Sequence, residues 1–199
     1  GPLYFIDKIF KENKIRNFCE LGSYLGASAH YVAGKEEAKD TNIYAIDIWD
    51  SGALADWEED IHGEYIADQY DDNAKGFFKT NCMYKTFLSN LQEYKEKVIP
   101  LKTSTQYGVR FLHDQNIEID VFYIDANHTY DSVKADILII KELFPNSIIF
   151  GDDLPFDGVK DAVKECARLH SLEILTHGNA YMYVGEGEGN PLTPPDGNW

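Results

Sequence analysis

Short apolar runs alternate along the chain with longer amphipathic stretches. The runs are rich in β-branched and aromatic residues, as buried strands are, and the stretches between them repeat apolar residues at helical spacing. Strands are predicted at 17–21, 42–48, 97–102, 119–125 and 147–151. Helices are predicted around them, at 3–13, 27–38, 74–96, 105–115, 130–144 and 157–170. This alternation indicates an α/β fold built on a mainly parallel sheet.

Two further strands at the end of the chain, 171–177 and 180–185, break the alternation. His177, Gly178 and Asn179 leave room only for a tight turn between them. The two strands are therefore predicted to pair as an antiparallel hairpin at one edge of the sheet. The complete prediction is a sheet of seven strands, mostly parallel, that ends in this hairpin.

Two segments depart from the pattern of strands and helices. The stretch 50–72 holds nine acidic residues and no Lys or Arg, together with aromatic residues, and we interpret it as an insertion. It forms either an active-site lid or a solvated surface loop. The tail 186–199 contains several glycines and prolines and is predicted to be irregular. Gly1 and Pro2 resemble the remnant of a protease site, which leaves open that the chain is excised from a longer protein.

Composition narrows the class of protein. With 199 residues, 44% of them hydrophobic, the chain is predicted to form a single domain, 1–199, around one core. Acidic residues outnumber basic ones by 34 to 18, and a net charge of −16 argues against a nucleic-acid partner. The three cysteines form no CxxC pair, which fits a reducing, cytoplasmic location. No apolar run approaches the roughly 20 residues of a membrane span, and nothing indicates the oligomeric state.

A glycine-containing loop follows the first predicted strand. Glu20, Gly22 and Gly26 give it the spacing E-x-G-x-x-x-G, which differs from the G-x-G-x-x-G of dinucleotide-binding folds. Glycines let such a loop approach a ligand closely, although any tight strand-to-helix turn also favours glycine. Asp47 ends the second predicted strand, where an acid can accept hydrogen bonds from both hydroxyls of a ribose. The loop and the acid together indicate a site for a ligand that contains a ribose.

Acidic residues also end two strands that are predicted to be neighbours. Asp125 closes the strand at 119–125, and Asp152 and Asp153 follow the strand at 147–151. The carboxyl ends of parallel strands border the ligand crevice, so the three carboxylates are predicted to converge there. Mg²⁺ or Mn²⁺ would offset their mutual repulsion; the alternative is that they face solvent without a metal.

His128 follows Asp125 by three residues and is expected on the short turn after that strand. A histidine beside a metal site can act as a general base, and a purely structural histidine is the alternative. The other five histidines show no ligand-like spacing, and we assign them no function.

Together these residues resemble the class I S-adenosylmethionine methyltransferases. Within that class they resemble the metal-dependent branch of macrolide-sugar O-methyltransferases and cephalosporin-hydroxylase-like proteins. The resemblance spans about residues 16–185 and includes the closing hairpin. Its most specific parts are Glu20 with Gly22 and Gly26, the run 45–49, Tyr123-Ile124-Asp125 with His128 and Tyr130, and Gly151-Asp152-Asp153. The resemblance implies the three-layer, Rossmann-like class I methyltransferase fold.

The resemblance also implies how S-adenosylmethionine would be bound. The methionine part would lie against the loop that includes Glu20, Gly22, Ser23, Tyr24, Gly26 and Ser28. The ribose would contact Asp47 and Ile48, and Ser104 is a candidate contact near the adenine.

The same resemblance assigns the metal and the base. Mg²⁺ or Mn²⁺ would be held by Asp125, Asp152 and Asp153, and Asp125 would also border the cofactor and take part in catalysis. His128 lies where the sugar methyltransferases keep a catalytic histidine, so it would take the proton from the acceptor hydroxyl.

The implied activity is O-methylation of a hydroxyl on a small-molecule or glycan acceptor, with a sugar as the first expectation. Ala126 and Asn127 replace the Gly-Asp pair common in the family, so a catechol-like or natural-product hydroxyl stays open. Two other classes also stay open. One is a hydroxylase-like relative or a nucleotide-sugar oxidoreductase, although the loop spacing argues against a nicotinamide cofactor. The other is an inactive methyltransferase-like binding module.

Overall fold

The structure, a computed structural model, describes residues 1–50 and 82–185. The predicted acidic insertion beyond residue 50 and the predicted irregular tail 186–199 lie outside the described residues. The first part of the helix predicted at 74–96 lies outside them as well. In the described part of the chain, no helix has both the length and the apolar character that a membrane crossing requires.

The sheet has five parallel strands and an antiparallel pair. The parallel strands are β1 (Asn17–Leu21), β2 (Asn42–Asp47), β3 (Val98–Lys102), β4 (Val121–Ile124) and β5 (Ile148–Gly151). The hairpin consists of β6 (Leu172–His177) and β7 (Ala180–Gly185), and β7 pairs antiparallel with β5. The strand order is β3-β2-β1-β4-β5-β7-β6. The predicted fold class and the predicted hairpin are confirmed.

Six α-helices lie in the described residues. They are α1 (Pro2–Glu12), α2 (Ala27–Ala33), α3 (Met83–Asn90), α4 (Thr105–Asp114), α5 (Tyr130–Leu143) and α6 (Asp157–Leu169). Helix α2 is shorter than predicted because it ends at Gly34, after which Glu36–Ala38 form a separate 3-10 turn. The segment predicted as one helix at 74–96 also divides, since α3 ends at Asn90 and Gln92–Tyr94 form another 3-10 turn.

The sheet is covered on both faces, so its central strands are buried throughout. Along β4, Val121 and Tyr123 belong to one hydrophobic cluster, and Phe122 and Ile124 belong to the other. This alternation is what strand geometry requires when helices pack on both sides of a parallel sheet. Helices α1 to α3 contribute to the first cluster and α4 to α6 to the second, which gives three layers.

The register of the strands decides where their acidic ends lie. Leu21 of β1 pairs with Ile46 of β2 on one side and with Ile124 of β4 on the other. Ile124 in turn pairs with Gly151 of β5. Because these strands end level with one another, the residues that follow them meet at one edge of the sheet.

Candidate active site

The turn after β1 packs directly on the backbone that ends β4. Gly22 has a φ of +86° and donates its N–H to the carbonyl of Ile46 at 2.9 Å. A Cβ atom at position 22 would lie 2.1 Å from the backbone oxygen of Asp125. Only glycine combines this backbone conformation with so close an approach. The predicted cofactor loop and the predicted catalytic strand therefore touch, with no room for a side chain between them.

Glu20 is fully buried beneath this turn. Ser28, near the start of α2, donates its hydroxyl hydrogen to Oε1, whereas Oε2 has no hydrogen-bond partner among the described residues. The pKa of Glu20 is raised to about 7, chiefly by burial and in smaller part by the nearby carboxylates of Asp125 and Asp47, against the lowering effect of the hydroxyl donor. A buried acceptor without a partner is costly, so it suits a ligand that brings its own donor.

Asp47 connects two loops through backbone hydrogen bonds. Its Oδ2 accepts the N–H of Tyr24 at 2.8 Å, and its Oδ1 accepts the N–H of Trp49 at 2.6 Å. The indole N–H of Trp49 donates to the backbone carbonyl of Tyr24 at 2.7 Å, so the two loops are also bonded directly to each other. Each carboxylate oxygen keeps a second lone pair for a ligand hydroxyl. Ile48 lies between Asp47 and Trp49 in the sequence, and its side chain, 42% exposed, offers an apolar surface beside the carboxylate.

The acidic cluster at the ends of β4 and β5 is compact. Asp125, His128 and Asp153 each offer one ligand atom, and these atoms lie within 4.8 Å of one another, close enough for one metal ion. The hydroxyl of Tyr123 donates to Asp125 at 2.8 Å. The pKa of Asp125 is raised to about 6, chiefly by burial and in smaller part by the carboxylates of Asp153 and Asp152, against the lowering effect of the Tyr123 hydroxyl. A cation is the simplest way to relieve this accumulation of negative charge.

Asp152 differs from its neighbour Asp153 in its surroundings. It is not part of the group of three that meets the distance requirement for a metal, although it raises the pKa of Asp125. Its own pKa is raised, chiefly by burial, and its Oδ1 is buried without a hydrogen-bond partner among the described residues. Asp153 itself has a φ of +60°, a left-handed conformation that an aspartate tolerates better than most residues.

His128 is held between α6 and the acidic cluster. Its Nε2 lies 2.8 Å from Oδ2 of Asp153, and its side chain is 10% exposed. The imidazole stacks on the ring of Phe156, with centroids 4.8 Å apart and an interplanar angle of 13°. The structure thus brings together the histidine and two of the three aspartates that the sequence predicts at the site.

The remaining predicted residues lie on the cofactor side. Ser23 is buried in the turn after β1, and Gly26, with a φ of +88°, immediately precedes α2. Ser104 immediately precedes α4, and the adjacent Thr103 donates its N–H to the carbonyl of Asp47 at 3.0 Å. The loop after β3 therefore borders the residue predicted to contact the ribose.

One buried carboxylate near this loop was not predicted. Asp136 of α5 accepts the hydroxyl hydrogen of Thr105 at 2.6 Å and the side-chain amide of Gln106 at 2.5 Å. Burial raises its pKa to about 6. The sequence does indicate that Asp136 is buried, because it lies on the apolar face of the predicted helix, three residues after Val133 and four before Ile140.

The strand order, the glycine turn after the first strand and the acid that ends the second define a class I methyltransferase fold. The sequence model of the family described as a methyltransferase domain matches residues 19–154. The chain therefore belongs to this methyltransferase domain family, and the prediction of a methyltransferase is confirmed. Among curated proteins, no significant match was found.

Solved structures of methyltransferases share this fold. One is CalS11, a TDP-rhamnose 3'-O-methyltransferase of calicheamicin biosynthesis, with 16% identity and a TM-score of 0.57 over 94% of this chain and 80% of that one. Another is an O-methyltransferase from Bacillus cereus in complex with SAH, with 14% identity and a TM-score of 0.61 over 92% and 81%. A third is MycE of mycinamycin biosynthesis, in complex with Mg and SAH, with 14% identity and a TM-score of 0.51 over 96% and 51%.

Proposed function

We propose that this chain is an S-adenosylmethionine-dependent and divalent-metal-dependent O-methyltransferase. Its acceptor would be a hydroxyl on a sugar or glycan. The observation that carries the proposal is the group of Asp125, His128 and Asp153, whose ligand atoms lie within 4.8 Å of one another. This group lies next to the Gly22 turn, since Gly22 touches the backbone of Asp125. The proposed cation site would therefore border the proposed site of the methyl donor.

The cofactor would be held by the two loops that follow β1 and β2. The buried Oε2 of Glu20 would accept a hydrogen bond from the ammonium group of the methionine part, which the Gly22 turn and Ser23, Tyr24, Gly26 and Ser28 would border. The free lone pairs of Asp47 would accept the two ribose hydroxyls. Ile48 and Ser104 would border the adenine side of the nucleoside.

The metal would be held by Asp125 and Asp153, with Asp152 as the third carboxylate. Oxygen ligands of this kind fit Mg²⁺ or Mn²⁺, and the pKa of Asp125, which burial chiefly raises and the carboxylates of Asp153 and Asp152 raise further, supports a site that favours a cation. When bound, the ion would lower the pKa of an acceptor hydroxyl and fix its oxygen in line with the methyl group.

His128 would then remove the proton from that hydroxyl. The imidazole is held beside Asp153 at 2.8 Å and has little exposure to solvent, so it would receive the proton in a fixed orientation. The acceptor class is supported by the names of two structural neighbours, the sugar methyltransferase CalS11 and the Mg-bound MycE. A catechol-like or natural-product hydroxyl remains the alternative acceptor.

Calorimetry with SAH and Mg²⁺ tests the two ligand sites. We expect SAH to bind, and we expect Asp153→Asn to weaken Mg²⁺ binding by at least about tenfold, because it removes a charged ligand. Asp157→Asn is the matched control, since Asp157 is an exposed carboxylate of the same segment that pairs with Lys160. A protein that binds no SAH would contradict the proposal as a whole.

Turnover of His128→Ala tests the base. We expect SAH and Mg²⁺ to bind with unchanged affinity and kcat to fall by about 100-fold or more. Unchanged turnover would exclude the base, and a loss of Mg²⁺ affinity would make His128 a metal ligand instead. The acceptor is tested by product analysis with deoxysugar glycosides and catechols, where activity on catechols alone would contradict the sugar proposal. SAH binding without turnover on any acceptor would instead support the inactive binding module.

A further inference from the structure

The ring of Phe156, the residue that immediately precedes α6, lies flat against the imidazole of His128. The two rings are nearly parallel, at 13°, with centroids 4.8 Å apart. A flat contact of this kind opposes tilting of the imidazole about its χ2 angle, because a tilted imidazole would run into the phenyl ring.

Gly158 packs closely against the backbone of His128, whereas Phe156 packs against its ring. A Cβ atom at position 158 would lie 2.4 Å from the carbonyl oxygen of His128 and 2.9 Å from the backbone nitrogen of Tyr130. Both neighbours are backbone atoms, so no side-chain rotation could relieve the contact. The helix therefore rests directly on the loop that carries the histidine.

The segment that carries Phe156 is itself fixed. The N–H of Phe156 donates to the carbonyl of Asp153 at 3.0 Å, and the N–H of Leu154 donates to the carbonyl of Asn179 at 2.9 Å. The second bond connects the segment to the turn between β6 and β7. The support behind His128 thus extends into the sheet, through a hairpin that is paired along its whole length.

We propose that Phe156 and Gly158 are positioning residues that hold the imidazole of His128 in its reactive orientation. This inference rests on the proposed role of His128 as the base. Fixing the base before the substrates bind removes the entropy cost of orienting it during the reaction, and small displacements of a catalytic group are costly. Neither residue needs to touch the cofactor, the metal or the acceptor for this effect.

Phe156→Leu tests the ring contact. We expect kcat to fall roughly tenfold while KM for S-adenosylmethionine and the SAH affinity stay unchanged, because the variant loosens only the base. Phe156→Tyr keeps the flat ring and is expected to restore turnover. Phe144→Leu is the matched control, since Phe144 is a buried phenylalanine that packs on Phe122 and His113 and does not stack on His128. An equal loss of kcat in Phe144→Leu would overturn the proposal, because general loosening of the core would then explain both.

Gly158→Ala tests the backbone contact independently of the ring. We expect a loss of kcat with SAH affinity retained. In Gly34→Ala, by contrast, the tightest contact of the added methyl group would be with the side-chain hydroxyl of Tyr94 at 3.2 Å, and the nearest backbone oxygen would lie at an ordinary 3.5 Å, so turnover should stay unchanged. If Gly158→Ala does not fold, Phe156→Leu decides the question alone.

A double-mutant cycle separates this proposal from the proposed function. In the His128→Ala background, Phe156→Leu should cause no further loss of kcat, because the group that it positions is gone. Equal losses with and without His128 would overturn the positioning role. If His128→Ala alone leaves turnover unchanged, the proposed function is wrong in its assignment of His128 as the general base. Ring resonances of His128 in NMR spectra should still shift in Phe156→Leu and return in Phe156→Tyr, and their constancy would contradict the stacking itself.

Discussion

Glu20 is predicted to lower the stability of the ligand-free protein, and Glu20→Gln should reveal by how much. The pKa of this buried carboxyl is raised from 4.5 to about 7, chiefly by desolvation. Below pH 4 the side chain is protonated in both the folded and the unfolded chain, so it has no effect on the pH dependence. Between the two pKa values the unfolded chain releases the proton first, and the folded state loses stability as the pH rises. Above the folded pKa the loss is complete and amounts to about 3 kcal/mol.

Urea denaturation of the ligand-free protein from pH 4 to pH 8 measures this effect. Gln keeps an acceptor for Ser28 and cannot ionise, so the variant should match the wild type near pH 4 and exceed its free energy of unfolding by about 3 kcal/mol at pH 8. Glu173→Gln, at an exposed position of β6, is the control and should change stability by less than about 0.5 kcal/mol. A stability difference between Glu20→Gln and wild type that is the same at every pH would refute the reasoning. In calorimetry the stabilised variant should nevertheless bind SAH more weakly.

Three further substitutions test the contacts around the site by urea denaturation and SAH calorimetry. Gly22→Ala should cost more than about 3 kcal/mol and abolish SAH binding, because it adds a Cβ 2.1 Å from a backbone oxygen at a φ of +86°. Gly185→Ala is its control, because an added Cβ there would have no atom of the described residues within 4 Å, and equal costs in the two variants would contradict the close approach. Asp47→Ala should cost about 2 to 3 kcal/mol and weaken SAH binding, because the backbone N–H groups of Tyr24 and Trp49 lose a charged acceptor. Unchanged SAH affinity would exclude a contact between Asp47 and the cofactor. Tyr183→Phe should cost about 1 kcal/mol and leave SAH affinity unchanged, because it removes only a buried hydrogen bond to the backbone of α6; an unchanged stability would contradict that bond.

Much of the sheet could be predicted because its signals are local. Each central strand is a short apolar run, and the two-residue gap of Gly178 and Asn179 leaves room only for a hairpin between the last two strands. The helix ends were less predictable. Helix α2 ends at Ala33, before Gly34, although the predicted helix continued to Ala38, because glycine has a low helix propensity.

Some residues of the candidate site could likewise be predicted from local sequence, and others depend on contacts between segments distant in the chain. Asp47 and Asp125 could be predicted because each ends its own strand, and a parallel sheet brings strand ends together. Phe156 and Gly158 could not, because their contact with His128 depends on how α6 approaches the loop after β4. The pairing of Asp136 with Thr105 and Gln106 likewise connects two helices that no sequence spacing relates.

The direct contact between Gly22 and the backbone of Asp125 has a thermodynamic consequence. With no side chain between the two loops, we expect a shift of one on ligand binding to displace the other. Occupancy of the proposed S-adenosylmethionine site and occupancy of the proposed metal site should therefore be coupled. By reciprocity, SAH should change the dissociation constant of Mg²⁺ by the same factor by which Mg²⁺ changes that of SAH.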